Sequence, residues 1–346
     1  MLHRLRHGSI SFYTAGFITP DLSSASVYVE FCDRGSLENL ITAYGEHRNS
    51  VPNNQKPEVP ERFIWHAFAG LCDGLAYLFG GRSYIAEGVT DYTPDPKWIP
   101  VLHRDMKPDN VLLRSRETLG SKRYWYCVLS DFGLACEDRP RGHPSEDRYQ
   151  HLQSQLGTAH YYAPELCYNP YPKTTEETTY FPGDQRHSAK SDLWALGASM
   201  YNLADCGPHI MHDGRAVTGG FAHINWSNWY QKPPTMQAHT FYSGTLSRKP
   251  VLDVSKINSN RGYSKQLRDA ILQATEQDPK KRPSPIKMVG SIKLLMAQAG
   301  FHGHVPEGSN DELPSWASKV HDYHSRTPIT PSQLAEMQEA ERSKNR

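Results

Sequence analysis

Between Glu61 and Phe79 the apolar residues Phe63, Ile64, Ala67, Phe68, Leu71, Leu75 and Leu78 recur at three- and four-residue intervals. That period marks one face of a helix and predicts a buried helix there. Helical patterns also cover Asp192 to Leu203, Lys265 to Ala274 and Pro285 to Ala299. Near the start the pattern is different. Ser11 to Thr14 and Ser26 to Phe31 are rich in aromatic and β-branched residues and read as strands, with a turn at Thr19-Pro20-Asp21. Ser36 is a helix-capping residue type, and a short helix is expected from there to Tyr44.

Polar, proline-broken intervals separate these elements. Residues 45–60 and 80–100 read as loops, and residues 136–153 carry too few apolar side chains to bury much surface. Residues 207–250 are aromatic but irregular. From Gly303 the chain turns polar, and Ser332 to Arg342 reads as a helix with only Leu334 and Met337 on an apolar stripe.

The chain has 346 residues and a formal net charge of +1. The length supplies a sizeable core, and the charge gives no global attraction for nucleic acid or anionic membrane. No apolar run looks long enough for a membrane span, and the basic start lacks the apolar segment of a secretory signal. The six cysteines are scattered, with no Cys-x-x-Cys pair, which suggests reduced intracellular thiols and argues against a zinc site. His3 and His7, like His209 and His212, are spaced as metal ligands can be, but no third ligand stands nearby; solvated turns are expected. The aromatic residues Phe221, Trp226, Trp229 and Tyr230 read as local packing.

The densest chemistry lies in Val101-Leu102-His103-Arg104-Asp105-Met106-Lys107-Pro108-Asp109-Asn110-Val111-Leu112-Leu113. An acid, a base and an amide fall within six residues between apolar anchors. Ser130-Asp131-Phe132-Gly133-Leu134-Ala135 follows, then Gly157-Thr158-Ala159-His160-Tyr161-Tyr162-Ala163-Pro164-Glu165. In this order the three blocks resemble the catalytic loop, Asp-Phe-Gly motif and Ala-Pro-Glu motif of eukaryotic serine/threonine protein kinases. Ser191 to Gly197 resembles that family's central helix, Asp278 to Pro283 its late arginine motif, and Val27 to Leu37 its hinge. The likeness covers about residues 5 to 295, and its wording is most like the NIMA-related branch.

The resemblance implies a protein-kinase-like α+β fold. Residues 1–31 would be a remnant of the small lobe, and 32–300 the large lobe with its hinge and inserts near 45–60, 80–100 and 168–190. Residues 301–346 would be a polar tail. The implied activity is transfer of the ATP γ-phosphate to serine or threonine hydroxyls of protein substrates, with Mg2+. Asp105 would accept or orient the acceptor proton, and Lys107 would meet the γ-phosphate. Asn110 and Asp131 would hold magnesium as hard oxygen ligands, and Thr158 would favour serine or threonine acceptors. In the hinge, the backbones of Glu30 and Cys32 would meet adenine, with Val29 as gatekeeper and Leu112 as floor. Ser36 stands where the family often places an acidic ribose contact.

Other matched residues have structural or regulatory parts in the family. His103 and Phe132 would join the packed column between lobes, with Gly133 completing the metal-binding motif. Asp192 would bond the catalytic-loop backbone, and Glu165 and Arg282 would form a buried ion pair. Arg104 would hold a phosphorylated activation segment, for which Ser154 is the candidate site.

The family's glycine-rich phosphate loop, its phosphate-binding strand lysine and the glutamate paired with that lysine have no counterpart here. The first lysine is Lys56, past the hinge, and only Gly8 and Gly16 precede the hinge. Two origins compete: a short kinase-like protein, or a start written downstream of the natural one, the second being the expectation. The competing functional readings are a pseudokinase that binds partners without transferring phosphate, and a nonfunctional fragment.

Overall fold

The computed structural model of the chain describes residues 2–19, 24–86, 89–115, 124–139, 156–158, 161–166, 187–206, 262–276, 278–301 and 311–317. The three- and four-residue period over Glu61 to Phe79 becomes helix α2, Glu61–Gly80, buried on nearly every side from Phe63 onward. It ends where Gly81 takes a left-handed conformation (φ 80°) and returns its N–H to the Tyr77 carbonyl at 2.7 Å. A side chain at Gly81 would be strained there and would run into the Trp98 ring. Helix α2 corrects the reading that no apolar run approaches a membrane span. By length and composition it qualifies, but 83% of its most apolar window is buried within the protein. Its hydropathy is that of a core helix enclosed by neighbours.

Helix α1, Leu37–Ser50, starts on a capping box: the Ser36 hydroxyl accepts from Asn39 N–H, and the Asn39 side chain accepts from Ser36 N–H. It continues past the expected end at Tyr44. Tertiary contacts hold the extra residues: Arg48 donates to the Asp205 carbonyl at 3.0 Å, and His47 stacks on Trp316 at 4.4 Å. Helix α3, Ala189–Asp205, is capped by Ser188 and so begins ahead of Asp192. Helices α4, Lys265–Ala274, and α5, Pro285–Gln298, follow their predicted bounds closely, each behind a serine cap. Helix α2 packs on α5 and α3, and α4 packs on both α3 and α5.

Three two-stranded antiparallel sheets complete the described α+β fold. β1 (Tyr13–Ile18) pairs with β2 (Ala25–Val29), with a register irregularity between Tyr13 and Ala15. β3 (Val101–Leu102) pairs with β6 (Cys136–Glu137), and β4 (Val111–Arg114) with β5 (Tyr126–Leu129). Residues 9–11 do not belong to β1; they bond to Leu129 of β5 through Ser11 N–H and the Ser9 carbonyl. The β1–β2 ribbon stands outside the core, with Phe17, Ile18, Val27 and Val29 all exposed.

The 80–100 loop is anchored rather than loose. Asp73, buried in α2, accepts from Ser83 Oγ at 2.6 Å, Tyr84 N–H at 2.6 Å and Ile85 N–H at 3.0 Å. His7 contacts the same carboxylate at 2.9 Å, so it is engaged in a structural pair. At the far end, Asp311 pairs with Arg62 and Trp316 packs edge-on against Tyr44. Ser154, His209, His212, the aromatic cluster at 221–230 and the Ser332 to Arg342 stretch lie outside the described residues.

Candidate active site

The catalytic-loop residues sit between β3 and β4, and α3 holds them from below. Asp192 accepts from His103 N–H at 2.7 Å and from Arg104 N–H at 2.9 Å, one bond to each carboxylate oxygen. Burial pushes this carboxyl up to about 6, opposed by those two donors. The grip is needed because Arg104 has a left-handed backbone (φ 69°), which a non-glycine residue adopts only when its surroundings compel it. The Arg104 Nε donates to the Leu134 carbonyl, tying this loop to the segment after the Asp-Phe-Gly motif.

His103 is fully buried. Asp105 N–H points at its Nδ1 at 3.3 Å and its Nε2 lies 2.8 Å from the Ser130 carbonyl. A carbonyl only accepts, so Nε2 carries the hydrogen and Nδ1 is the acceptor. Burial lowers the pKa of this ring and keeps it neutral. Phe132 meets it edge-on, with centroids 4.8 Å apart. Asp131 is exposed and left-handed (φ 56°), and its Oδ1 accepts from Gly133 N–H at 3.2 Å.

Around Asp105 three side chains converge. Thr158 Oγ1 donates to Asp105 Oδ1 at 2.7 Å, and Lys107 Nζ donates to the same threonine hydroxyl at 2.9 Å. Lys107 Nζ also lies 3.3 Å from Asp105 Oδ2. Asn110 Nδ2 donates to the Asp105 carbonyl at 2.8 Å and to its Oδ2 at 3.0 Å. Both amide hydrogens of Asn110 therefore face Asp105, and its amide oxygen takes no part in these bonds. A carboxylate, an ammonium, a hydroxyl and an amide thus form one hydrogen-bonded group.

The hinge residues follow β2. Glu30 N–H donates to the Phe12 carbonyl at 2.9 Å, and its carboxylate pairs with Arg114. Cys32 is buried, which pushes its thiol up to about 12, so it remains protonated. Leu112 alternates with the buried Val111 and Leu113 along β4, so it faces away from the core. The Ser36 hydroxyl is committed to capping α1, where it also donates to Asn39 Oδ1 at 3.0 Å.

Glu165 and Arg282, far apart in sequence, meet in a buried bidentate pair at 2.7 and 3.0 Å. Arg282 also donates to the Glu276 and Lys190 carbonyls. One residue of this region escaped the sequence reading. His187 is buried, with its Nε2 3.1 Å from the Leu156 carbonyl. A single histidine in a polar stretch carries no periodic signal that singles it out. Among the described residues no group of three or more His, Cys, Asp or Glu side chains is arranged to hold a metal.

A buried histidine under an Asp-Phe-Gly turn, with an acid, a lysine and an asparagine on one loop, is the arrangement expected of a protein kinase large lobe. The sequence pattern of the protein kinase domain matches residues 1–292, and the chain belongs to that family. It is 28% identical to the G2-specific protein kinase nim-1 of Neurospora crassa over 211 residues, 59% of this chain and 20% of that protein. The serine/threonine-protein kinase Nek1 of Toxoplasma gondii is 26% identical over 322 residues, 92% of this chain and 16% of that protein. The G2-specific protein kinase nimA of Emericella nidulans is 26% identical over 217 residues, 60% of this chain and 26% of that protein. The chain spans about a quarter or less of the length of these curated relatives.

Proposed function

We propose that the chain carries the acceptor side of a serine/threonine phosphotransfer site of NIMA-related type, moving the ATP γ-phosphate to protein hydroxyls. The observation that carries this reading is the group formed by Asp105, Lys107, Asn110 and Thr158. Asp105 orients the acceptor hydroxyl and takes its proton. Lys107 presents positive charge where the transferred phosphoryl gains negative charge. Thr158 bridges the two and favours serine or threonine acceptors.

Asn110 and Asp131 are the oxygen donors for Mg2+. Two protein ligands suit this ion, which keeps its remaining positions for water and phosphate oxygens. Bound magnesium neutralises phosphate charge. Val29, Glu30, Cys32 and Leu112 form the adenine side, with the Glu30 and Cys32 backbones as the polar contacts.

The 346 residues by themselves hold no Gly-x-Gly-x-x-Gly sequence and no lysine before Lys56. Exposed Phe17, Val27 and Val29 leave the apolar faces of β1–β2 without cover among the described residues. This supports a second reading, in which these residues alone bind partners and transfer phosphate poorly. One missing preorganised charge at the phosphates costs about a hundredfold in rate.

The experiment compares magnesium-dependent phosphorylation of serine and threonine peptides by these 346 residues and by a fusion that places a glycine-rich loop and a phosphate-binding strand lysine ahead of residue 1. The expected result is near-background turnover in the first, a rise of about a hundredfold or more in the second, and loss of that rise in Asp105→Asn. Full activity in Asp105→Asn refutes the phosphotransfer reading. Robust turnover by the 346 residues alone refutes the impairment.

A further inference from the structure

We propose that His187 is a positioning residue for the acceptor side of the site, holding the segment that presents Thr158. The inference rests on the role given above to Asp105 and Thr158. His187 precedes Ser188, the N-cap of α3, whose side chain accepts from Ser191 N–H. The cap fixes where the imidazole leaves the helix. Its Nε2 lies 3.1 Å from the Leu156 carbonyl, two residues before Thr158. That carbonyl only accepts, so the imidazole is the donor.

The segment it holds has little freedom. Gly157 is left-handed (φ 99°), and a Cβ there would collide with the Arg104 carbonyl, so the chain lies flat against the catalytic loop. Tyr162 Oη donates to the Gly157 carbonyl at 3.4 Å, and Tyr161 N–H to the Thr158 carbonyl at 2.9 Å. Asn202 of α3 then holds Tyr161 Oη at 2.8 Å.

Helix α3 and the residue just before its cap therefore hold both halves of the site. Asp192 fixes the backbone of the loop bearing Asp105 and Lys107, while His187 fixes the segment bearing Thr158. His187, Asp192, Asp105 and Thr158 also line one small void, so no thick layer of intervening side chains separates them. Losing the imidazole N–H leaves a partly buried carbonyl without that donor. The neighbouring turn then drifts from Asp105, and the acceptor hydroxyl loses its seat.

The test removes the donor while keeping the ring, in His187→Phe, and keeps a donor without the ring, in His187→Gln. His187→Leu serves if the phenylalanine variant does not fold. Amide hydrogen exchange is read at Tyr161, with Leu71 in α2 as reference. The expected result is exchange at Tyr161 faster by about tenfold in His187→Phe, unchanged at Leu71, and largely restored in His187→Gln. In the fusion that carries a glycine-rich loop and strand lysine ahead of residue 1, the KM for the acceptor peptide rises by about tenfold in His187→Phe while the KM for ATP holds. Equal exchange in His187→Phe and the parent, a parallel rise at Leu71, or equal rises in both KM values overturns the proposal. Failure of the phosphotransfer reading appears in the Asp105→Asn assay and failure of this one at Tyr161, so the two are separable.

Discussion

Replacing Arg282 with alanine removes four hydrogen bonds among the described residues, in a site with no access to water. Two run to the Glu165 carboxylate at 2.7 and 3.0 Å, one to the Glu276 carbonyl at 2.7 Å and one to the Lys190 carbonyl at 2.9 Å. The side chains of Arg282 and Glu165 are 0% and 2% exposed, so the carboxylate left behind cannot recruit solvent. Breaking such a pair from one side costs roughly 3–5 kcal/mol, because the desolvation of the remaining charge is no longer offset. Lys190 is no adequate substitute: its ammonium donates to the Pro279 carbonyl, and its pKa is lowered by burial and by Arg282. For a chain of this length, about 2 °C of melting temperature corresponds to each kcal/mol. Arg282→Ala is therefore expected to melt roughly 6–10 °C below the parent. Arg282→Lys keeps a charge without the planar fork and falls between the two. The control is the double replacement Glu165→Leu with Arg282→Met, which removes both charges and recovers part of the loss. Calorimetry or far-ultraviolet circular dichroism on heating reads all four proteins. A melting point for Arg282→Ala equal to the parent's, or a double variant less stable than the single one, refutes the reasoning.

Gly157→Ala forces a Cβ against the Arg104 carbonyl at a backbone angle that L residues rarely adopt; urea unfolding is expected to show a loss of about 2 kcal/mol or more, and an unchanged midpoint contradicts it. Burial raises the Glu58 carboxyl from its ordinary 4.5 to about 7, against the pull of Arg48. The folded chain thus keeps this proton to higher pH than the unfolded one, so the contribution of Glu58 to stability is full below 4.5 and declines as pH rises towards 7. Glu58→Gln removes that decline, and melting curves between pH 5 and pH 7 check it: a slope equal to the parent's excludes the assignment.

The order of the sequence blocks, the type of each principal helix and the side chains that meet around Asp105 were legible in the sequence. These features have local causes. A helix face repeats every three to four residues, a serine cap acts within one turn, and the loop bearing Asp105, Lys107 and Asn110 lies within a few consecutive positions. What required the tertiary structure were pairings and environments. The extension of α1 to Ser50 depends on Asp205 and Trp316, neither of which is near in sequence. Asp73 stands on α2 among apolar residues, and His7 together with the returning 83–85 loop explains a carboxylate there. His187 offers no pattern at all until folding sets it beneath Leu156. Sequence periodicity records which face of an element is apolar. It does not record which distant backbone groups arrive at that face, and those arrivals decide which buried polar side chains are satisfied and what they hold in place.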